Sequence, residues 1–233
     1  MRSKTVSAAA MVMLVLMFAV QTPAQKTDRT QDAARHASTA AKTFTEIMNV
    51  RDKAIPQELL DNAEAIAVFP GVIKAAFIIG GRGGQGVISR RVKGGWSAPA
   101  FFNLGGGSFG AQIGAQKNDY VFLIMNENGV KGLLEDKFEL GGEAGIVAGP
   151  VGREAAASTN PTLDAGILSY SRSKGAFIGV ALKGAVISPD NDLNEAIYGK
   201  KAKEILTGPP IPLGKMPASV RIFPRTLARY SVR

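Results

Sequence analysis

The chain has no cysteine and a single histidine among its 233 residues. Without cysteine it has no disulfide framework, no thiol nucleophile and no cysteine to carry a lipid after a leader segment. With His36 as the one histidine, the commonest zinc sites are also excluded. Beyond the N-terminus the sequence lacks an apolar run long enough to span a bilayer. No nucleophile-base pair is recognisable, so we predict that the chain is not an enzyme and has no catalytic residues.

Two glycine-rich stretches match known motifs only in part. Residues 81–86 and 105–110 both fit G-x-G-x-x-G, and residues 106–110 also fit the G-x-S-x-G elbow. A dinucleotide site needs a helix directly after the glycines, and residues 87–92 are too few and too β-branched to form one. The elbow serine needs a downstream histidine, whereas His36 lies upstream. We therefore predict neither a Rossmann site nor a hydrolase.

The segment from residue 190 to residue 201 begins with the spacing of a calcium-binding loop. Such a loop needs glycine at its sixth position and glutamate at its twelfth, where this chain has Glu195 and Lys201. The same segment is typical of a helix start, with Ser188 as the cap and Pro189 in the first position. We therefore predict no metal and no cofactor.

The composition has an excess of positive charge, with a formal net charge of +9. This excess favours acidic partners such as lipid headgroups, nucleic acid or acidic polymers.

The N-terminus has the pattern of a secretory signal. Arg2 and Lys4 precede an apolar stretch at residues 6–20, and small residues at 22–24 suit a cleavage site. We predict an exported protein, periplasmic or secreted, with a retained membrane anchor as the alternative. Export makes nucleic acid the least favoured partner, so we predict none.

Hydrophobic periodicity predicts helices first and strands after residue 66. Alanines, Phe44, Ile47 and Met48 recur at three- and four-residue spacing within residues 28–53, which predicts a helix with one apolar face. We expect that face to pack on the domain, with a membrane-surface helix as the alternative. A second, short helix is predicted at residues 57–65, after Pro56.

The strands that follow are short and separated by glycine-rich turns. Residues 120–125 form a continuous apolar run, which predicts a strand covered on both faces. Residues 166–180 have the pattern of a strand, a polar connection and a second strand, which predicts a hairpin. The predicted fold class is α+β, a predominantly antiparallel β-barrel or sandwich with N-terminal helices and a short C-terminal helix.

Residues 209–233 differ in composition from the rest of the chain. They contain five prolines and no acidic residue, and from Arg221 onward arginine recurs every four residues. Because proline fixes φ and removes a backbone donor, we predict that most of this tail has no regular structure and is extended on the domain or disordered. A segment that orders only on contact with a membrane or a partner is the alternative.

Several sequence blocks, in order, resemble the SYLF domain family. They are AVFPGV at residues 67–72, GGRG at 80–83, GWSAPAFF at 95–102, GGSFGAQIG at 106–114, SRSKG at 171–175 and the segment 194–199. The resemblance covers residues 42–208. It implies binding to anionic lipid, with phosphoinositides bound by the eukaryotic members and actin by some of those, and it implies no catalysis. An exported chain does not share a compartment with the actin of its own cell, so we do not expect an actin partner.

These patterns divide the chain into four segments. Residues 1–24 are predicted as a signal peptide and residues 25–41 as a helical N-terminal extension. Residues 42–208 form the SYLF-like domain, and residues 209–233 form a basic tail rich in proline and arginine.

Eight basic residues lie at or near predicted strand ends and glycine turns. Together with the resemblance, their positions predict a basic face that binds phosphate headgroups, with Arg172 and Lys174 ranked first. The other members of the set are Lys74, Arg82, Arg90, Arg91, Lys93 and Lys183.

The predicted function is that of an exported, non-enzymatic protein that recognises anionic, phosphoinositide-like headgroups at a membrane surface. The second interpretation is an envelope structural protein or partner-binding module without specific lipid recognition. An enzyme whose pocket is assembled from distant Asp, Glu and Tyr side chains is the third.

Overall fold

The computed structural model describes residues 23–50, 54–76, 79–109, 114–141, 145–152 and 165–231. The predicted signal peptide lies almost entirely outside these ranges. The helices of the described part are α1 Pro23–Met48, α2 Gln57–Asn62, α3 Glu127–Leu133, α4 Asn191–Tyr198, α5 Ala202–Thr207 and α6 Ile222–Tyr230, with 3-10 turns at Leu213–Lys215 and Ala218–Arg221. The strands are β1 Ala65–Ala76, β2 Ile79–Val92, β3 Gly95–Trp96, β4 Ala100–Phe109, β5 Gly114–Ile124, β6 Phe138–Glu139, β7 Ile146–Ala148, β8 Ile167–Ser173, β9 Ala176–Gly179 and β10 Val186–Pro189.

The described strands form one curled sheet with the shape of a half-barrel. Its strand order is β6-β10-β4-β2-β1-β5-β8-β7, with β3 paired to β2 and β9 paired to β8. The described pairs are antiparallel except for β7 with β8. With helices at the N-terminal and C-terminal sides of this sheet, the predicted α+β fold class is confirmed.

The central strands are buried on both of their faces. Residues 120–125 are all buried, which confirms the prediction of a strand covered on both sides. On one face, called here the inner face, Phe122 packs against Phe69 and Tyr120, with ring centroids 5.8 and 6.3 Å apart. The opposite face, called here the helical face, is covered by α1, whose His36 ring lies 6.5 Å from the ring of Phe101 on β4.

Helix α1 packs on the sheet through the apolar face that its sequence predicts. Phe44 and Ile47 are fully buried. The alanines at three- and four-residue spacing are no more than 3% exposed, and they are Ala33, Ala37, Ala40 and Ala41. Small side chains allow the helix backbone to approach its neighbours closely, which suits a helix packed against β1, β2, α4 and α6. The predicted packing on the domain is confirmed, although the helix ends at Met48 rather than at residue 53.

The prediction that the tail lacks regular structure over most of its length is wrong. Residues 218–221 form a 3-10 turn and Ile222–Tyr230 form α6, whose Phe223 and Leu227 are fully buried. Pro217 precedes the 3-10 turn, and Pro224 lies in the first turn of α6, where the missing N–H has no intrahelical acceptor. The prolines therefore stand where a helix tolerates them.

The segment after the predicted hairpin begins its helix two residues later than we expected. The hairpin itself is confirmed, since β8 and β9 pair across the turn formed by Lys174 and Gly175. Ser188 and Pro189 belong to β10, and Asp190 is the N-cap of α4, where its carboxylate accepts the N–H of Leu193 at 3.0 Å. The acidic side chain takes the capping role that we assigned to Ser188.

Candidate functional site

A one-residue bulge in β1 sets which side chains of that strand reach the inner face. The register shifts between Phe69 and Val72 against β5 and between Val68 and Ile73 against β2, and Gly71 there has φ of +60°. Side chains alternate along a strand, so one extra residue moves every later side chain to the opposite face. The bulge thereby places Lys74 on the same face as buried Val72, which is the inner face.

Lys74 and Arg82 lie directly opposite one another near the end of β1. Lys74 pairs with Arg82 on β2 and with Gln116 on β5, and the other neighbour of Arg82 is Gly106 on β4. None of these ladder partners is acidic. Arg82 Nε is buried and has no hydrogen-bond partner among the residues that the structure describes. Two cations in direct opposition repel, and a buried guanidinium nitrogen without an acceptor costs free energy. An anion bound between them would relieve both costs.

Two further predicted residues belong to the same end of the sheet, which we call the basic end and define by Lys74, Arg82, Lys174 and Lys183. Lys174 is exposed in the β8–β9 turn and has φ of +48°. Lys183 is exposed just before β10, next to Gly184, whose carbonyl oxygen lies against Gly106. The structure therefore brings four of the eight predicted residues to one end of the sheet.

Arg172, the residue ranked first, is engaged by two carboxylates. Its Nε and Nη2 donate to Asp119 Oδ2 at 2.9 and 2.7 Å, and its Nη1 lies 2.7 Å from Glu46 Oε2 on α1. Asp119 Oδ1 in turn accepts the N–H of Gly71 at 2.7 Å. Burial alone lowers the pKa of Arg172, but the hydrogen bonds and charges of Asp119 and Glu46 outweigh it and raise the pKa. Arg172 thus links α1, the sheet and the bulge, and its guanidinium group is engaged by carboxylates of the same chain.

Arg91 is held at the opposite end of β2 by backbone carbonyls. Its Nε donates to the carbonyl of Ala63 at 2.9 Å, and its Nη2 donates to the carbonyl of Leu60 at 2.7 Å and to Ser231 Oγ at 2.6 Å. The guanidinium also lies 4.3 Å from the centroid of the Trp96 ring. Arg91 therefore ties α2 and the C-terminal side of the chain to the sheet.

Arg90 and Lys93 lie at this same end, which we call the α2 end. Arg90 forms an ion pair with Glu127 on α3, while Lys93 is exposed in the turn between β2 and β3. Along a strand, the eight residue steps from Arg82 to Arg90 correspond to about 26 Å. Residues at the two ends cannot share one headgroup, so the eight predicted residues do not form a single binding face.

The acidic partners of the engaged arginines and one further lysine were missed by sequence reasoning. Asp119 and Glu46 become visible only when the register of β5 with β8 and the position of α1 are known. Lys117 lies across the bulge, where a β carbon on Gly71 would come within 2.4 Å of its Cε. The sequence feature that could have identified Lys117 is its position two residues before Asp119, at the start of an apolar strand.

The motifs rejected from the sequence take structural roles. Residues 81–86 lie inside β2, which continues to Val92 without a following helix. Asn194, from the incomplete calcium pattern, is fully buried and binds the backbone of Phe101, donating to its carbonyl at 3.0 Å and accepting its N–H at 2.8 Å. Within the described residues, no group of three or more His, Cys, Asp or Glu side chains could hold a metal ion. None of the described helices is long and apolar enough to cross a membrane.

Comparison with known proteins identifies relatives over most of the chain. LAS seventeen-binding protein 3 of Saccharomyces cerevisiae is 39% identical over 163 residues, which cover 67% of this chain and 35% of that protein. The SH3 domain-containing YSC84-like protein 1 of Xenopus laevis is 34% identical over 182 residues, 75% of this chain and 54% of that protein. The protein of the same name from Rattus norvegicus is 32% identical over 181 residues, 75% of this chain and 53% of its own. The chain thus spans about a third to a half of these relatives.

The family comparison covers more than half of the chain. The family model Ysc84, described as "Las17-binding protein actin regulator", matches residues 105–230 and so extends through α6. These names describe regulators and binding proteins rather than enzymes. Together with the blocks that resemble the SYLF domain, the match leads to one conclusion: the chain belongs to the Ysc84 family, whose shared unit is the SYLF domain.

Proposed function

We propose that the chain is a non-catalytic binding module whose basic end takes the phosphate group of an anionic lipid headgroup at a membrane surface. The observation that supports this proposal is the pair formed by Lys74 and Arg82, two cations in direct register with no acidic ladder partner and with Arg82 Nε buried and unpartnered among the described residues. A phosphate group beside the two cations would supply a negative charge and acceptors that none of their ladder partners provides as an acid.

The rest of the basic end adds attraction over a longer range. Lys174 and Lys183 are exposed and carry no ion pair with another described residue. Basic residues near an anionic surface contribute about 1 kcal/mol each, and this attraction weakens within a Debye length of about 10 Å at 0.1 M salt. The pair therefore supplies specificity for a phosphate, and the exposed lysines supply salt-dependent attraction.

Vesicle co-sedimentation with a matched charge control tests this proposal. The protein is spun with phosphatidylcholine vesicles and with vesicles that also contain phosphatidylserine or a phosphoinositide, at low and physiological salt. The double variant Lys74→Gln/Arg82→Gln is compared with Lys93→Gln/Lys131→Gln, which removes the same charge near the α2 end. We expect binding to anionic vesicles only, a loss of about tenfold or more in the first variant and less than about twofold in the second.

Two outcomes would overturn the proposal. Equal losses in both variants would mean that binding follows net charge and not the site. An absence of binding to every anionic vesicle would remove lipid recognition, and the second candidate function, binding of a protein partner, would take its place. That second candidate is favoured by the names of the relatives and by a different surface, the groove between α1 and α6.

We also propose export, on the pattern of residues 1–24 alone. Mass spectrometry of the protein from cell envelope and medium should show a mature N-terminus at Gln25. Full-length protein confined to the interior of the cell would contradict this. In that case the relatives' link to actin regulation would become relevant to this chain.

A further inference from the structure

A groove between α1 and α6 combines two exposed arginines with an exposed apolar side chain. It has a volume of about 470 Å³ and is lined from α1 by residues that include Lys42 and Glu46, and from α6 by Ile222, Arg225 and Arg229. On α6 these three lie three and four residues apart and so share one face. The other face of α6 is buried, which leaves this face for contacts outside the chain.

The charge in the groove is positive. Arg225 and Arg229 are exposed and make no hydrogen bond or ion pair with another described residue. Glu46 is the acid in the lining, and it is already paired with Arg172 at 2.7 Å, with Lys42 at 3.8 Å on its other side. The guanidinium groups of Arg225 and Arg229 are therefore available to acceptors from another molecule.

The apolar contact lies beside these forks. Ile222 is 45% exposed, although α6 buries its other large apolar side chains. Arginine is enriched in protein-binding hot spots, because its stem packs against apolar groups while its guanidinium pairs with carboxylates. The exposed Ile222 adds an apolar contact beside the two arginines.

We propose that the α1–α6 groove is a docking surface for an acidic segment of a protein partner, with carboxylates on Arg225 and Arg229 and one apolar side chain on Ile222. The length of α6, about 13 Å, fits a helix of about two turns or four extended residues. A bilayer is a poorer occupant, because a flat surface resting on the two helices does not enter a groove and a single exposed isoleucine gives little area for insertion. This proposal does not depend on lipid binding at the basic end.

Peptide display on the full chain tests the chemistry of the occupant. A library of random peptides of about twelve residues is selected against the immobilised protein, and the selected peptides are measured in solution by fluorescence anisotropy. We expect them to be rich in Asp and Glu and to carry at least one large apolar residue. Arg225→Gln/Arg229→Gln should weaken their binding tenfold or more and Ile222→Ser about fivefold. Lys203→Gln/Lys215→Gln removes two exposed charges outside the groove lining, and this matched control should leave peptide binding within about twofold.

The folded state of each variant is checked by circular dichroism and thermal melting. If the double variant loses its fold, Arg225→Lys/Arg229→Lys replaces it, since it keeps the charge and removes the forks, and an intermediate loss is expected. The proposal is overturned if no peptide is selected, if the selected peptides lack acidic residues, or if they bind the arginine variants as tightly as the original protein. A loss of binding to phosphatidylserine vesicles in the arginine variants, with peptide binding unchanged, would assign this face to membranes instead.

Discussion

The two ends of the sheet carry similar numbers of basic residues but use them differently. At the α2 end, Arg91 donates to carbonyls of Leu60 and Ala63, and Arg90 pairs with Glu127. At the basic end, Lys74 faces Arg82 without an acidic ladder partner. The first arrangement holds elements of the chain together, and the second leaves positive charge available to a ligand. Basic residues at strand ends are therefore evidence of binding only where the fold leaves them without partners.

The largest expected difference between the two ends is the loss of stability caused by a substitution at the α2 end. Arg91→Ala removes three hydrogen bonds from a charged donor and the contact with Trp96, so we expect the free energy of unfolding to fall by about 3 kcal/mol. Urea denaturation measures this change, with Lys93→Ala as a neighbour expected to change stability by less than about 0.5 kcal/mol. A stable Arg91→Ala protein that no longer binds anionic vesicles would reverse our assignment of this residue.

A smaller loss of stability is expected for Arg172, although it lies near the basic end. Arg172→Ala leaves Asp119 and Glu46 without their cation, which should cost about 2 kcal/mol in the free energy of unfolding. Binding of the folded protein to anionic vesicles should stay within about twofold, whereas Lys174→Ala should weaken it about fivefold without a loss of stability. If Arg172→Ala removed vesicle binding and left stability intact, the original ranking of Arg172 as a lipid ligand would be restored.

The opposite response is expected from the Lys74–Arg82 pair. Because the two cations repel, Lys74→Gln/Arg82→Gln should leave the free energy of unfolding unchanged or raise it by a few tenths of a kcal/mol. Inorganic phosphate at ten times its Kd should stabilise the unmodified protein by about 1.4 kcal/mol, compared with chloride at equal ionic strength, and should not stabilise the variant. Equal stabilisation of both proteins in thermal melts would show that phosphate does not act at this pair.

The smallest expected effect concerns His36, which lies on α1 beside the ring of Phe101. Burial first, and then the charge of Arg35, lower the pKa of His36 in the folded state, against weaker raising effects of Asp32 and Asp190. Below the ordinary pKa of about 6.5 the unfolded chain therefore binds the proton that the folded chain does not, so stability falls as pH decreases through this range. Urea midpoints between pH 7.5 and 5.5 should decrease less for His36→Gln than for the unmodified protein. Parallel slopes would contradict the lowered pKa.

Sequence patterns predicted those parts of the fold that depend on local periodicity. Three such parts are the alanine spacing of α1, the apolar run at residues 120–125 and the β8–β9 hairpin. Each of them depends on residues that are close to one another in the sequence. Helix α6 was missed because its prolines were counted without their positions, and Pro224 is harmless in a first turn.

The candidate site could not be predicted to the same degree, because it depends on register. Lys74 faces Arg82 only because the bulge at Gly71 resets the alternation of β1. The partners of Arg91 lie 31 and 140 residues away in sequence, and no local pattern marks them. Sequence reasoning therefore selected candidates by residue type and position in the chain, and the three-dimensional pairing decides which of them are engaged by other described residues.

The side-chain N–H signals of the arginines test the contrast between the two ends most directly. In a ¹⁵N-correlated NMR spectrum, the Nε–H signals of Arg82, Arg91 and Arg172 are assigned through single Arg→Lys variants and followed during titration with inorganic phosphate and then with a soluble short-chain anionic lipid. We predict that the Arg82 signal shifts with saturation while those of Arg91 and Arg172 keep their positions. Equal, unsaturated shifts of all three signals, or a static Arg82 signal, would contradict the account.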